Sequence, residues 1–239
     1  MGRVTTAEQP APRPLWRRVT GSPWFHLVAA FVVFGALLSF VAKPYSVPSG
    51  SMESTLQPGD RVLVNRLAYL GAEPATGDII VFDADDTWGT TTATDENPLR
   101  AFARWVGEVS GFGPSGEHTL IKRVIAGPGQ TLSCCDAEGR LLVDGEPLDE
   151  SYVFEDLPFT AGSLDCDTEP TSARCLPQVT VPDGSYLVLG DHRSDSSDSA
   201  AQCRTEGADA TGCWRWAGAD QVVGKAVVIL WPIGRWSGL

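Results

Sequence analysis

The chain has 239 residues, 43% of them hydrophobic, and is long enough to bury one substantial core. Its formal net charge is −12, but residues 1–23 carry +3, which leaves −15 on the remainder. This acidic remainder argues against nucleic acid as a partner, because nucleic-acid-binding surfaces neutralise phosphates with clustered lysine and arginine.

The amino-terminal part predicts a cytoplasmic tail over 1–23 and a membrane anchor over 24–42. The tail is rich in proline and arginine, which favours disorder. The run Trp24 to Ala42 has no formal charge and would form a helix about 28 Å long, close to the thickness of a bilayer core. A cleaved secretory signal is the alternative, although its apolar region is usually shorter. Arginines precede the run, so we expect a single-pass protein of the cell membrane with residues 43–239 on the extracytoplasmic side.

The rest of the chain predicts a mainly β domain. Short runs that alternate or are rich in β-branched residues indicate strands, and Asp144-Gly145 indicates a hairpin turn within one of them. The predicted strands cover 61–69, 77–82, 118–129, 140–148, 185–191 and 225–232. Two stretches, about 83–117 and 133–180, are expected to be irregular insertions, the first with a short helix over 99–109. Little helical periodicity follows residue 43, so the fold class is all-β after the anchor helix.

Six cysteines lie in the part expected to be extracytoplasmic: Cys134, Cys135, Cys166, Cys175, Cys203 and Cys213. An even number in an oxidising compartment predicts disulfides, with fifteen pairings open. Cys203 with Cys213 is the most local candidate. Zinc binding is the alternative, but no C-x-x-C pair or nearby histidine supports it, so neither a metal nor another cofactor is predicted.

Three stretches contain candidate catalytic side chains. Ser51 follows the anchor in K-P-Y-S-V-P-S-G-S-M, where a simple turn is the alternative interpretation. A serine needs a neighbouring base to attack an amide, and Lys122 lies in the aliphatic run L-I-K-R-V-I. For a lysine to serve as a base near neutrality, burial must lower its pKa by about three units. The third stretch, L-G-D-H-R-S-D-S-S-D-S, starts at Leu189, and its alternative interpretation is a polar loop without a catalytic role.

Four stretches together resemble bacterial type I signal peptidases, which are membrane-anchored serine proteases. These stretches are P-S-G-S-M, G-D-I-I-V-F, I-K-R-V-I-A-G-P-G and G-D-H-R-S-D-S-S-D-S. The resemblance runs from the anchor to about Pro232, apart from 83–117 and 133–180. It implies that Ser51 is the nucleophile and Lys122 the general base. It also implies an oxyanion hole formed by the Ser49 hydroxyl and the Ser51 N–H, with Ser196 orienting the lysine and Asp198 bracing the loop.

Two positions depart from the family pattern. His192 stands where asparagine is common, which leaves a Ser-His-Asp arrangement open as an alternative. Ala200 stands where an arginine is expected beside Asp198, so Arg123 or Arg204 would have to replace that arginine.

The resemblance implies that signal peptides of preproteins bind as an extended strand and are cut after small residues, next to the lipid bilayer. The matching edges are 45–48 and 118–121. The predicted substrate pockets are lined by Tyr45, Val47, Met52, Leu56, Leu120 and Ile121. Two other functions are weighed against this one: a non-catalytic anchored β-domain that binds exported proteins or cell-wall partners, and a serine-lysine protease that cleaves itself within a transcriptional regulator. The anchor and the absence of a DNA-binding segment count against the second of these.

Overall fold

The structure is a computed structural model, and it describes residues 20–89, 119–205 and 207–239. The chain divides into two compact units, Met1–Phe40 and Val41–Leu239. One α-helix, α1, runs over Pro23–Val41. Within the described part of the chain, no helix reaches the length and apolar character that crossing a bilayer demands. A helix therefore exists where the sequence predicts one, while the membrane anchor stays a prediction.

The second unit is built from short β-strands. Their bounds are β1 Ala42–Ser46, β2 Arg61–Asn65, β3 Ile79–Asp83, β4 Thr119–Ala126, β5 Thr131–Cys134, β6 Leu141–Val143, β7 Glu146–Pro147, β8 Val179–Thr180, β9 Ser185–Leu189, β10 Ala217–Gly218, β11 Val222–Trp231 and β12 Ser237–Gly238. The prediction of a mainly β fold is confirmed.

The larger sheet carries Lys122 on β4, and the candidate stretches that contain Ser51 and start at Leu189 adjoin its strands β1 and β9. Its strand order is β1-β2-β11-β3-β4-β9-β10, with β12 added beside β11, and each neighbouring pair is antiparallel. The run Ile79–Phe82 is buried on both faces, as its unbroken apolar sequence indicates. Two apolar clusters formed mainly by residues of this sheet, one around Val62 and Val81 and one around Phe82 and Val188, make much of the core.

A smaller sheet lies in a region for which the sequence predicts mostly irregular structure. Its strand order is β7-β6-β5-β8. Asp144 and Gly145 both have positive φ, 54° and 86°, and join β6 to β7; this is the hairpin turn that the Asp-Gly pair predicts. β6 and β7 lie within the predicted strand segment 140–148, and β5 and β8 lie at the two ends of the stretch expected to be irregular, 133–180.

One predicted strand ends early. The prediction of 61–69 is correct only as far as Asn65, because the Asn65 side-chain oxygen accepts the backbone N–H of Leu67 at 3.0 Å and starts a turn. Three other predictions lie outside the described residues: the tail over 1–19, the short helix over 99–109 and the start of the fourth strand at His118.

Candidate active site

The segment after β1 holds Ser51 in a fixed position. The backbone N–H of Val47 donates to Asp60 O and that of Gly59 donates to Val47 O, both at 2.9 Å, so the two ends of the segment are joined. Met52 and Leu56 are fully buried within it, and the Leu56 N–H donates to Met52 O at 2.7 Å. Ser51 is thus held by a loop that is anchored in the core.

Lys122 reaches Ser51 from strand β4. In the sheet it lies opposite Ile80 of β3. Its Nζ donates a hydrogen bond to Ser51 Oγ at 2.6 Å, although the two residues are 71 positions apart in the chain. Only 4% of Lys122 and 9% of Ser51 is exposed. The structure therefore brings together the hydroxyl and the amine that the sequence singles out.

Burial lowers the pKa of Lys122 from 10.5 to about 8, since an ammonium is poorly stabilised away from water. The negative charges of Asp198, Asp191 and Asp195 act in the opposite direction and limit the shift. A substantial fraction of Lys122 is therefore neutral near pH 8, and a neutral amine can accept a proton from a serine hydroxyl.

Ser49 lies beside the nucleophile candidate and is exposed. Its Oγ is 3.5 Å from Ser51 Oγ. The Ser49 hydroxyl and the backbone N–H of Ser51 lie at the same turn, where a carbonyl oxygen of a bound peptide could accept from both. This placement is compatible with the oxyanion hole that the sequence resemblance implies.

The loop after β9 packs directly against Ser51. An ideal Cβ built on Gly190 would lie 2.2 Å from Ser196 Oγ and 2.5 Å from the Ser51 carbonyl oxygen. The His192 backbone N–H donates to that same carbonyl at 3.1 Å. Ser196 Oγ is buried and has no hydrogen-bond partner among the described residues. Ser196 therefore lies at the site without the hydrogen bond to Lys122 that the resemblance implies.

Asp198 braces this loop, and Arg204 supplies the cation. Asp198 is fully buried and accepts from the backbone N–H groups of Gly190 and Ala200 at 3.2 and 3.1 Å. Arg204 Nη1 lies 3.2 Å from its Oδ1. Of the two arginines considered in place of the one missing at Ala200, Arg204 is the one paired with Asp198.

Arg123, the other candidate, is bound elsewhere. Its Nε and Nη2 donate to the two carboxylate oxygens of Asp191 at 2.8 and 2.6 Å, and Thr55 Oγ1 donates to Asp191 at 2.5 Å. The Tyr152 ring covers the guanidinium, with its centroid 3.9 Å away. This network joins the Ser51 loop, β4 and the loop after β9. Sequence reasoning did not assign Asp191 and Thr55 a role, although Asp191 stands within the quoted G-D-H-R-S motif.

The side chain of His192 does not serve Ser51. Its Nδ1 lies 3.3 Å from Glu53 and its Nε2 3.3 Å from Glu155, and its ring packs against Phe154. A Ser-His-Asp triad requires the imidazole to accept from the serine hydroxyl. The hydroxyl here contacts Lys122 instead, so the geometry disfavours that alternative.

A cleft with a volume of about 40 Å³ opens beside the serine–lysine pair. Its lining includes five of the six predicted pocket residues: Tyr45, Val47, Met52, Leu120 and Ile121. Leu56 is not part of this lining and lies fully buried in the same apolar cluster as Met52. The assignment of Leu56 to a substrate pocket stays a prediction.

Two strand edges border this cleft. β1 stands at the end of the larger sheet, with β2 on one side and no partner on the other among the described strands. The β3 partner covers Thr119–Arg123 of β4, whereas β9 pairs only from Arg123 onwards. The first half of β4 therefore presents a second open edge to the cleft, and an extended peptide can pair with either edge.

The site combines a buried serine hydroxyl with a lysine amine at hydrogen-bond distance, which is the arrangement expected of a serine hydrolase. Comparison with known proteins agrees with this class. The model of the family described as signal peptidase, peptidase S26, matches residues 22–231. The chain therefore belongs to the signal peptidase family, peptidase S26, and is an enzyme, a hydrolase of the signal peptidase I type.

Relatives and a solved structure are similar over much of the chain. Signal peptidase I of Mycobacterium tuberculosis (strain ATCC 25618 / H37Rv) is 37% identical over 248 residues, which covers 99% of this chain and 81% of that protein. A probable signal peptidase I of Mycobacterium leprae (strain TN) is 36% identical over 233 residues and covers 90% and 78%. A crystal structure of a signal peptidase I from Enterococcus faecalis V583 is 24% identical, with a TM-score of 0.34, and covers 64% of this chain and 96% of that one.

Proposed function

We propose that this chain is a membrane-anchored endopeptidase that removes signal peptides from exported preproteins after small residues, with Ser51 as nucleophile and Lys122 as general base. The observation that carries the proposal is the 2.6 Å hydrogen bond between Lys122 Nζ and Ser51 Oγ in a buried site. Membership of the signal peptidase family supports preproteins as the substrates.

The first half of the reaction acylates the serine. Neutral Lys122 accepts the hydroxyl proton of Ser51 while Oγ attacks the scissile carbonyl carbon, and the carbonyl π electrons move onto oxygen. The oxyanion accepts hydrogen bonds from the Ser49 hydroxyl and the Ser51 N–H. Collapse of the intermediate breaks the C–N bond, and the Lys122 ammonium returns its proton to the leaving amine. The signal peptide is left as an ester on Ser51.

The second half hydrolyses that ester. Lys122 takes a proton from a water molecule, whose oxygen attacks the acyl carbon, and then returns it to Ser51 Oγ as the carboxylic acid leaves, which ionises by releasing its own proton to solvent. Ser196 supports both halves in this proposal, because its hydroxyl is buried near the Ser51 carbonyl and free to accept a hydrogen bond from the lysine. Asp198 and Arg204 hold the loop that carries Ser196.

The shape of the cleft supports cleavage after small residues. The cleft is small, with a volume of about 40 Å³, which favours small side chains. Tyr45, Val47 and Met52 provide an apolar lining on the β1 side, and Leu120 and Ile121 on the β4 side. A substrate strand between these edges would place its side chains in the cleft at alternate positions.

The anchor proposal rests on sequence. The uncharged run from Trp24 to Ala42 is of bilayer length, and arginines precede it. We propose that it holds the chain in the cell membrane with the amino terminus in the cytoplasm. The catalytic unit would then meet preproteins as they leave the membrane.

A matched pair of lysine substitutions tests the assignment. Lys122→Arg keeps the positive charge but removes the proton acceptor, because guanidinium does not deprotonate in proteins. Lys225→Arg makes the same change on β11, where the lysine pairs with Asp78 outside the cleft. With detergent-solubilised protein and a preprotein substrate, we expect Lys122→Arg and Ser51→Ala to lose activity by about a thousand-fold or more. Lys225→Arg should retain it.

Sequencing the new amino terminus of the product identifies the bond that is cut. Cleavage after a small residue by the wild type and by Lys225→Arg alone agrees with the proposal. If His192→Ala were as damaging as Lys122→Arg, or if Lys122→Arg remained active, Lys122 would not be the base.

A further inference from the structure

Four of the six cysteines converge beside the smaller sheet. Cys134 ends β5 and Cys135 follows it, whereas Cys166 and Cys175 come from the loop between β7 and β8. Their four Sγ atoms all lie within 4.8 Å of one another. In a tetrahedral zinc–thiolate site, with Zn–S bonds of about 2.3 Å, the sulfurs are about 3.8 Å apart. To surround such an ion, sulfurs of different pairs need to approach by at most about 1 Å, and the two sulfurs of each pair, which are bonded here, need to separate to that distance.

The two disulfide bonds do not explain why the two cysteine pairs lie next to each other. The structure pairs Cys134 with Cys135 and Cys166 with Cys175, so each bond lies within one segment. Joining adjacent residues closes almost no loop and removes little entropy from the unfolded chain. Neither bond connects β5 to the β7–β8 loop. A ligand that binds both pairs would make that connection.

We propose that, in its reduced state, this cluster of four cysteines binds Zn²⁺ or a similar soft divalent cation through four thiolates. Each disulfide first accepts two electrons from a thiol or phosphine reductant and two protons, which gives two thiols. The cation then replaces the four thiol protons, so binding releases protons and becomes weaker as the pH falls. Cys166 is exposed and the other three cysteines are half-buried, which gives an ion a route from solvent.

The spacing explains why the sequence does not indicate this site. Two ligands are adjacent and the other two are nine positions apart, whereas zinc sites are usually recognised from C-x-x-C pairs. Here the fold, not a local motif, assembles the donor set. The absence of C-x-x-C therefore does not count against the site.

The loop that supplies two of the ligands also contacts the active-site loop. The Phe154 backbone N–H donates to Asp191 O at 2.9 Å, and the Arg193 N–H donates to Phe154 O at 3.3 Å. Arg174, next to Cys175, pairs with Asp156 at 2.7 Å. A cation bound by all four sulfurs would thus restrain a segment that packs on the loop carrying Ser196.

Cobalt provides a direct probe of the site. The full chain is purified in detergent, reduced with a phosphine under anaerobic conditions and titrated with Co²⁺. We expect the visible absorption of tetrahedral cobalt thiolate, saturating at one equivalent per chain and abolished by added Zn²⁺. Cys134→Ser/Cys166→Ser should weaken Co²⁺ binding at least tenfold.

The third cysteine pair provides the control. Cys203 and Cys213 are bonded to each other and do not belong to the four-sulfur cluster. Cys203→Ser/Cys213→Ser should therefore keep the tetrahedral spectrum, and circular dichroism on each variant reports whether the fold survives. Three results would overturn the proposal: no tetrahedral spectrum from reduced wild type, an unchanged spectrum in Cys134→Ser/Cys166→Ser, or its loss in a folded Cys203→Ser/Cys213→Ser variant.

Discussion

The pH dependence of peptide cleavage should follow the ionisation of Lys122. Burial lowers its pKa from 10.5 to about 8, a difference that corresponds to about 3.4 kcal/mol against the charged form. At pH 7 about one molecule in eleven then has a neutral amine, compared with about one in three thousand for a lysine in water. The buried setting should thus increase the population of the active form roughly three-hundred-fold.

The measurement is kcat/KM for a soluble peptide substrate from pH 6 to pH 10. We expect the value to rise about tenfold per pH unit below 8 and to level off above it. The negative charge of Asp198 raises the pKa of Lys122, so Asp198→Asn should move the inflection to lower pH. Asp183→Asn removes an exposed carboxylate elsewhere and should leave the inflection in place.

Two outcomes would refute this reasoning. One is a profile without an inflection between about pH 7 and pH 9, which would mean that the rate does not depend on a buried lysine. The other is an inflection near the ordinary pKa of histidine that disappears in His192→Ala, which would assign the base to the imidazole.

Two stability predictions concern buried charges and are measured by urea unfolding. Below about pH 8, folding buries a protonated Lys122, and the free-energy cost of this burial is relieved as the pH rises from 8 to 10.5. Lys122→Met should therefore raise the free energy of unfolding by up to about 3 kcal/mol at pH 7 and by little above pH 10.5. An equal gain at both pH values would contradict this prediction. Arg204→Leu leaves the fully buried Asp198 without its cation and should cost about 3 kcal/mol. Adding Asp198→Asn should recover part of that loss, whereas strictly additive effects would show that the two side chains are not coupled.

Strand positions could be predicted because the apolar pattern is local. The run Ile79–Phe82 and the Asp144-Gly145 turn specify a buried strand and a hairpin from a few neighbouring residues. In the smaller sheet that turn revealed β6 and β7, whereas the two-residue strand β8 is too short to show a pattern. β8 is fixed by pairing with β5, so the sequence could not reveal it.

Some features of the candidate site could likewise be predicted from the sequence, and others could not. The motifs identified Ser51 and Lys122, but the distance between their reacting atoms depends on the register of the sheet. Sequence alone could not choose whether Arg123 or Arg204 pairs with Asp198, because both choices are compatible with the chain order. The structure pairs Arg123 with Asp191 and Arg204 with Asp198. Sequence alone also could not assign Leu56, because an apolar residue near a nucleophile can face either a cleft or the core.

The position of β11 in the larger sheet affects when the enzyme can become active during synthesis. β1 and β2 support Ser51, β3 and β4 support Lys122, and β11 lies between these two halves, bonded to β2 on one side and to β3 on the other. It follows both halves in the chain, so it is synthesised after them. A growing polypeptide that lacks it has no central strand to align the hydroxyl with the amine, so proteolytic competence should arise only after β11 has been synthesised.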